Sequence, residues 1–178
     1  MEKTIETARL ILRPWREEDA PALYEYAQDP RVGPAAGWLV HTSVENSREI
    51  IRTVLSMENT FAVTVKALGN KAVGSVGVFP SEPPPSQGQP EIGYWIGVPF
   101  WGQGMIPEAV WALQHFVFQE LGAERVWCAH FVGNLKSRRV IEKCGFRYRF
   151  TYDFELPQTG EVRHTRFYAL ERRDWQRG

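Results

Sequence analysis

The sequence predicts an α/β protein, helices on a sheet in one domain spanning residues 1–178. Two stretches predict it. An apolar run, Ile92-Gly-Tyr-Trp-Ile96, leads into two glycines one residue apart, Gly102 and Gly104, then Pro107, Glu108 and an apolar-periodic segment. That is a strand, a tight glycine turn and a helix start. Further on, Arg125–Phe131 reads as a strand, and Asn134-Leu-Lys-Ser137-Arg-Arg-Val-Ile-Glu-Lys143-Cys-Gly145-Phe146 as a capped helix running into another. Asn134 suits an N-cap, Val140, Ile141 and Cys144 give the helix an apolar side, and Gly145 sits where a C-cap glycine belongs. A chain of 178 residues can bury a sizeable core.

The remaining elements follow in order. Residues 7–15 alternate, with Leu10 and Leu12 inward against Arg9 and Arg13. Glu17–Gln28 is a helix ended by Asp29-Pro30, and residues 31–41 are irregular around Trp38. Thr42-Ser-Val-Glu45 reads as a capping box opening a helix to about Met57. Strands Phe61–Ala67 and Ala72–Phe79 are joined by a Gly-Asn turn. The Pro, Ser and Gly content of Pro80–Pro90 predicts a mobile surface loop. Strand Glu91–Gly97, helix Pro107–Leu121 stopped by Gly122, and final strands Arg147–Glu155 and Val162–Leu170 complete the pattern.

The glycine turn carries chemistry. Glycines let a backbone turn sharply and approach a ligand closely. Pro107 suits the first helical position, and the free N–H groups of a helix start bind phosphate. Two phosphate loops are excluded. A P-loop needs Lys and then Ser or Thr after its last glycine, and Gln103-Gly104 stand there. The dinucleotide fingerprint would place Pro107 at its third glycine. What is left is a diphosphate cradle without metal, or an ordinary strand-to-helix connection.

Composition adds limits. Lys+Arg 21 balances Asp+Glu 21, so no global field favours nucleic acid or an anionic membrane. No apolar stretch approaches membrane-spanning length, and Met1-Glu-Lys-Thr-Ile5 lacks a signal-peptide core. Cys128 and Cys144 have no metal or redox spacing, so a reduced, cytoplasmic protein is expected. The four histidines, His41, His115, His130 and His164, show no ligand spacing, so no metal is expected. Seven tryptophans suggest aromatic-lined pockets or an aromatic core.

At the two motifs the chain resembles acetyl-CoA-dependent N-acetyltransferases of the GNAT superfamily. That superfamily's pyrophosphate loop reads Gln/Arg-x-x-Gly-x-Gly/Ala; the aligned stretch is Trp101-Gly-Gln-Gly104-Met-Ile106, which departs at both ends. Trp-Gly-x-Gly followed by Glu-Ala is typical of the RimJ/RimL-like branch, the ribosomal-protein N-terminal acetyltransferases. That branch also carries a motif matched from Asn134 to Phe146, and is similar at Thr7-Ala-Arg-Leu-Ile-Leu-Arg-Pro14 and Asp29-Pro30. The resemblance covers nearly the whole chain. It implies three α/β/α layers around a mixed, mostly antiparallel seven-stranded sheet, split between strands four and five where acyl-CoA sits.

The resemblance also implies a site. Ile96, Gly97, Val98, Gly102, Gln103, Gly104, Met105, Ile106 and Pro107, with Asn134 and Ser137, are expected to hold acetyl-CoA. An amine attacking a thioester must lose a proton, and the departing thiolate must gain one or a hydrogen bond. Many relatives use a Tyr seven residues after the motif Asn as the acid; Ile141 stands there. Ser137 with Asn134 is then the catalytic candidate, as the branch implies. Glu91 is the first candidate base, with Asp153, Glu155 or water as alternatives. Trp38, His41, Tyr94 and Trp95 are candidates for the acceptor pocket. The expected reaction is acetyl transfer to a primary amine, a protein N-terminus or a small molecule, by a monomer or homodimer. A non-catalytic acyl-CoA-binding or interaction module is the alternative, kept open by the missing Tyr.

Overall fold

The computed structural model describes residues 2–178. Eight strands form one mixed sheet: β1 (Ile5–Glu6), β2 (Leu10–Arg13), β3 (Thr60–Val65), β4 (Lys71–Pro80), β5 (Pro90–Ile96), β6 (Arg125–Phe131), β7 (Arg147–Glu155) and β8 (Val162–Glu171), in the order β1-β2-β3-β4-β5-β6-β8-β7. The sequence predicts seven. The added strand is β1, whose Ile5 and Glu6 pair with Leu12 and Ile11. Two residues are too few to carry a periodicity. The helices are α1 (Ala20–Ala27), α2 (Gly33–Ala36), α3 (Val44–Ile50), α4 (Met105–His115), α5 (Leu135–Lys143) and α6 (Arg172–Arg177).

Two compact units result, one formed by residues up to Gly77 with Tyr94–Ala109, the other by Val78–Gly93 with Val110–Gly178. In the first, β1 to β4 form an antiparallel meander. Leu10 and Leu12 are fully buried, as the alternation predicts. Leu23 and Ala27 of α1 join Trp15, Ile51, Ala62 and Ala72 in one apolar cluster that seats the helix on β3 and β4. Burying a Leu side chain such as Leu23 stabilises by about 1.5–3 kcal/mol.

The α3 cap sits one residue later than predicted. Ser43 Oγ accepts from Asn46 N–H at 2.9 Å, and Asn46 Oδ1 accepts from Thr42 N–H at 3.0 Å. Asn46 thus does for this helix start what the sequence assigns to Glu45. Residues 33–36, expected to be irregular, form the short α2, closed by Gly37 at φ 92°.

In the second unit β8 lies between β6 and β7, antiparallel to both. β5 joins β6 in parallel through Glu91↔Trp127 and Ile92↔Cys128. Phe150 and Phe154 pack on Trp127, Phe167 and Ala169 on one face of these strands. Gln114 Nε2 donates to the Cys144 carbonyl at 2.8 Å, tying the end of α4 to the end of α5. The helix α6 was not legible in the sequence; its Trp175 ring packs 5.0 Å from Phe118.

Candidate active site

The candidate site residues fall into four groups, and each lies within one unit. The glycine turn belongs to the first. Gly102 and Gly104 adopt φ 72° and 74°, with Gln103 at negative φ between them. Left-handed glycines just ahead of a helix start are a setting in which the N–H groups of a turn can form an anion-binding nest. Glu108 N–H donates to the Gly104 carbonyl at 3.2 Å. Gly104 is therefore the cap, and the N–H groups of Gly104, Met105 and Ile106 precede the first intrahelical bond. Pro107 stands third in the helix, not first, because the turn closes two residues earlier than the sequence suggests. It still falls where an N–H has no intrahelical partner.

The turn is braced from inside. Trp101 Nε1 donates to the Ile96 carbonyl at 3.0 Å and Gln103 Nε2 to the Pro99 carbonyl at 2.8 Å. Arg9 braces it from β2's leading edge, donating through a terminal nitrogen to the Gln103 carbonyl at 2.8 Å and through Nε to Glu108 at 3.1 Å. Arg9 and Glu108 escape a reading of the sequence because 99 residues separate them. Gly97 has a different reason to be glycine: a Cβ there would lie 2.6 Å from the Tyr26 ring. Its N–H is spent on the Val73 carbonyl at 2.8 Å.

The second group, also in the first unit, is aromatic. Trp95 lies 6.3 Å from Trp15, stacked, and 5.4 Å from Trp38, edge-on. Trp38 lies 5.1 Å from His41. His41 is buried and shares a 2.8 Å hydrogen bond with Ser47 Oγ. Burial holds its pKa below the usual histidine value, so the ring is neutral at pH 7. Trp38, His41 and Trp95 thus lie together, with Trp15 as a fourth ring outside the sequence candidates, fixed by a 3.1 Å bond from Nε1 to Ser75 Oγ. Tyr94, next to Trp95 on β5, is half-buried.

The third group surrounds Glu91 in the second unit. The residue is 9% exposed, and burial raises its pKa to about 7; the Ser81 hydroxyl, a hydrogen-bond partner, pulls the other way, and Glu82 adds repulsion. Cys128 beside it is fully buried, and burial holds its thiol well above the usual value. The Pro-rich segment that leads to Glu91 is not the loosely tethered loop that its composition predicts. Ser81 N–H donates to the Gln89 carbonyl at 2.8 Å, Gly88 N–H to the Ser81 carbonyl at 2.9 Å, and the Ser81 and Ser86 hydroxyls bond at 2.7 Å. Both serines are buried. Trp127 Nε1 adds a bond to Gln89 Oε1 at 2.9 Å.

The fourth group is the start of α5. Asn134 Oδ1 accepts from Ser137 N–H at 3.2 Å, the predicted N-cap. Ser137 is half-buried. Ile141 is fully buried and has no proton to give. The alternative bases on β7 are exposed, and Asp153 accepts from His164 Nδ1 at 2.5 Å. His130 is buried, bonded to the Phe131 carbonyl and the Tyr168 hydroxyl. Among the described residues, no group of three or more His, Cys, Asp or Glu is placed to hold a metal ion.

Comparison with known proteins decides what the glycine turn belongs to. The model of the acetyltransferase (GNAT) domain matches residues 9–147, which include both motifs. The chain belongs to the GNAT acetyltransferase family. An uncharacterized N-acetyltransferase of Bacillus licheniformis, p20, is 31% identical over 150 residues, covering 82% of this chain and 83% of its own. YdaF of Bacillus subtilis, provisionally named a ribosomal N-acetyltransferase, is 38% identical over 86 residues, 48% of this chain and 47% of its own. The solved GNAT acetyltransferase of Bacillus anthracis superposes with a TM-score of 0.80 at 24% identity, covering 95% of this chain and 98% of that one. A Vibrio cholerae protein, provisionally titled a ribosomal-protein-serine acetyltransferase, gives 0.75 at 22%, covering 95% and 97%. The GNAT fold and a GNAT-type N-acetyltransferase activity follow. Among the described residues, no helix is long and apolar enough to cross a membrane.

Proposed function

We propose that this GNAT protein moves an acetyl group from acetyl-CoA to a primary amine by direct attack within a ternary complex. The observation that carries the reading is the Gly102-Gln103-Gly104 turn, whose two left-handed glycines lie directly ahead of α4. A Cβ built on Gly102 would meet nothing within 4 Å, so it is the positive φ and not lack of room that calls for glycine there. The N–H groups of residues 102–106 would hold the diphosphate, with Ile96 and Val98 at the end of β5 beside the pantetheine arm. Pro107 has no N–H to offer and sets only the helix start. Acetyl-CoA supplies the activated thioester; no metal is needed to bridge a diphosphate held by backbone donors.

The protein's own groups would handle protons. Glu91, with its pKa near 7, is balanced between carboxylate and acid at neutral pH and suits a general base. Its burial requires that the amine's proton reach it directly or through a single water. Ser137, on the first turn of α5, would give the leaving thiolate a hydrogen bond, while Asn134 holds that turn in place. Such a bond strengthens as charge develops and acts on the transition state.

The acceptor assigned here is a protein N-terminus, with a small-molecule amine as the competitor. Support comes from the printed descriptions of YdaF and of the Vibrio cholerae protein, and from the half-buried Trp38 and Trp95 rings, which could offer an apolar wall to a chain-like substrate. Turnover of acetyl-CoA against a panel of N-terminal peptides and small amines tests it. Peptide acetylation at the α-amino group is expected; exclusive use of small amines would overturn the acceptor. CoA binding without turnover on any amine would instead favour the non-catalytic module. Ser137→Ala should lower the turnover number roughly ten- to a hundred-fold, the worth of one hydrogen bond to a charged group, with the KM for acetyl-CoA little changed. An unchanged turnover number would leave solvent as the thiolate's partner.

A further inference from the structure

We infer that Arg9 is the positioning residue of the diphosphate loop, and that it also cancels a charge that would otherwise repel the ligand. The inference rests on the acetyl-CoA reading above. Arg9 precedes β2 and reaches two points of the loop at once. One terminal nitrogen donates to the Gln103 carbonyl at 2.8 Å, between the two left-handed glycines. Its Nε and its backbone N–H donate to the two carboxylate oxygens of Glu108, at 3.1 and 3.2 Å. The other terminal nitrogen lies 3.5 Å from where a Gly104 Cβ would stand. One planar guanidinium therefore spans the loop from Gln103 to the first turn of α4, as a forked side chain can and a lysine cannot.

The charge balance gives this contact a purpose beyond bracing. Glu108 lies in the first turn of α4, where an acid complements the helix dipole. For the helix alone that is favourable. For a diphosphate seated on the same N–H groups it is a like charge one turn away, and its side chain is only 16% exposed, so water screens it weakly. The Arg9 guanidinium neutralises Glu108 and holds the Gln103 carbonyl in a hydrogen bond. The donors are left to face the anion. Arg9 stands outside the loop motif, and its side chain is 46% exposed, so its loss should leave the fold intact.

Calorimetry with CoA separates this from a merely structural role. Arg9→Ala should weaken CoA about tenfold, the scale of one charge-assisted contact at a partly exposed site. It should raise the KM for acetyl-CoA by a similar factor with kcat little changed. Arg9→Lys should fall between, because it keeps the charge but not the fork. Adding Glu108→Gln to Arg9→Ala should restore most of the lost affinity by removing the uncompensated carboxylate; a bracing role alone would show no such rescue. Thermal melts check that each variant is folded, and Arg9→Lys carries the comparison if Arg9→Ala is not. Wild-type affinity in Arg9→Ala, or a double variant as weak as Arg9→Ala, would overturn the inference. A wild-type protein that binds no CoA would overturn it together with the acetyl-CoA reading, and melts of the variants would then show only the ion pair.

Discussion

Residues 80–90 and 97–104 are both rich in glycine and proline, and they end in opposite states. The first folds its polar groups onto itself: Ser81, Ser86, Gly88 and Gln89 bond to one another, and the two serines are buried. The second spends its side chains on its own carbonyls, through Trp101 to Ile96 and Gln103 to Pro99, and leaves the N–H side of its turn to the concave face. The first segment leads into a buried acid, Glu91; the second forms the turn proposed above to take an anion. Composition cannot separate the two. What separates them is where the hydrogen bonds go, since each buried polar group must find a partner. Closing a loop on itself shields a carboxyl and raises its pKa. Bracing a loop by its carbonyls frees its donors.

Gly104→Val would break the second segment most completely. A β-branched residue at φ 74° is strained by about 1–2 kcal/mol, and its Cβ would meet the Arg9 guanidinium. Loss of CoA binding is expected in calorimetry on a protein that still melts cooperatively. Wild-type affinity would mean that the turn is a mere connection, no different in kind from residues 80–90.

Glu91→Gln tests the first segment. If the carboxyl is the base, turnover should fall about a hundredfold. The wild-type rate should rise with pH through about 7 as the carboxylate forms, and the variant should lack that rise. The same group predicts a stability effect. Its folded pKa, about 7, lies above the ordinary 4.5, so between these values the folded state holds a proton that the unfolded state has lost. Stability therefore falls as pH rises from 4.5 to about 7, by roughly 3 kcal/mol from this group, and stays low above that. Denaturant midpoints measured across that range should slope downward in the wild type and less so in Glu91→Gln. Parallel slopes would show that the segment does not enclose the acid.

Ser81→Ala should have the smallest effect and the sharpest meaning. The hydroxyl lowers the Glu91 pKa against the push of burial. Removing it should move the midpoint of the pH–rate profile upward. An unmoved midpoint, with the variant folded, would show that the 80–90 network holds the backbone alone and does not tune the carboxyl.

The periodicities of residues 125–131 and 147–155 place strands where they lie, and that of residues 7–15 contains the strand at 10–13, because alternation and β-branched or aromatic content are local properties. The caps at Asn134, Gly122 and Gly145 are legible for the same reason: a cap needs only its own helix end. The GNAT membership is legible from two motifs some thirty residues apart. The strand β1, the helix start at Met105, the closed network around Glu91, the Trp15–Trp38–Trp95–His41 cluster and the Arg9–Glu108 contact are not. Each joins residues whose partners are chosen by the sheet and its neighbours rather than by spacing along the chain. Sequence by itself determined the order of elements, the family and the glycines that let the turn form. Only the tertiary structure decided which carbonyls and carboxylates those elements satisfy, and therefore which donors remain for a ligand and which acid sits near neutrality. The physical reason is that burial and hydrogen-bond partnership are set by distance in space, and no local pattern in the chain encodes that distance.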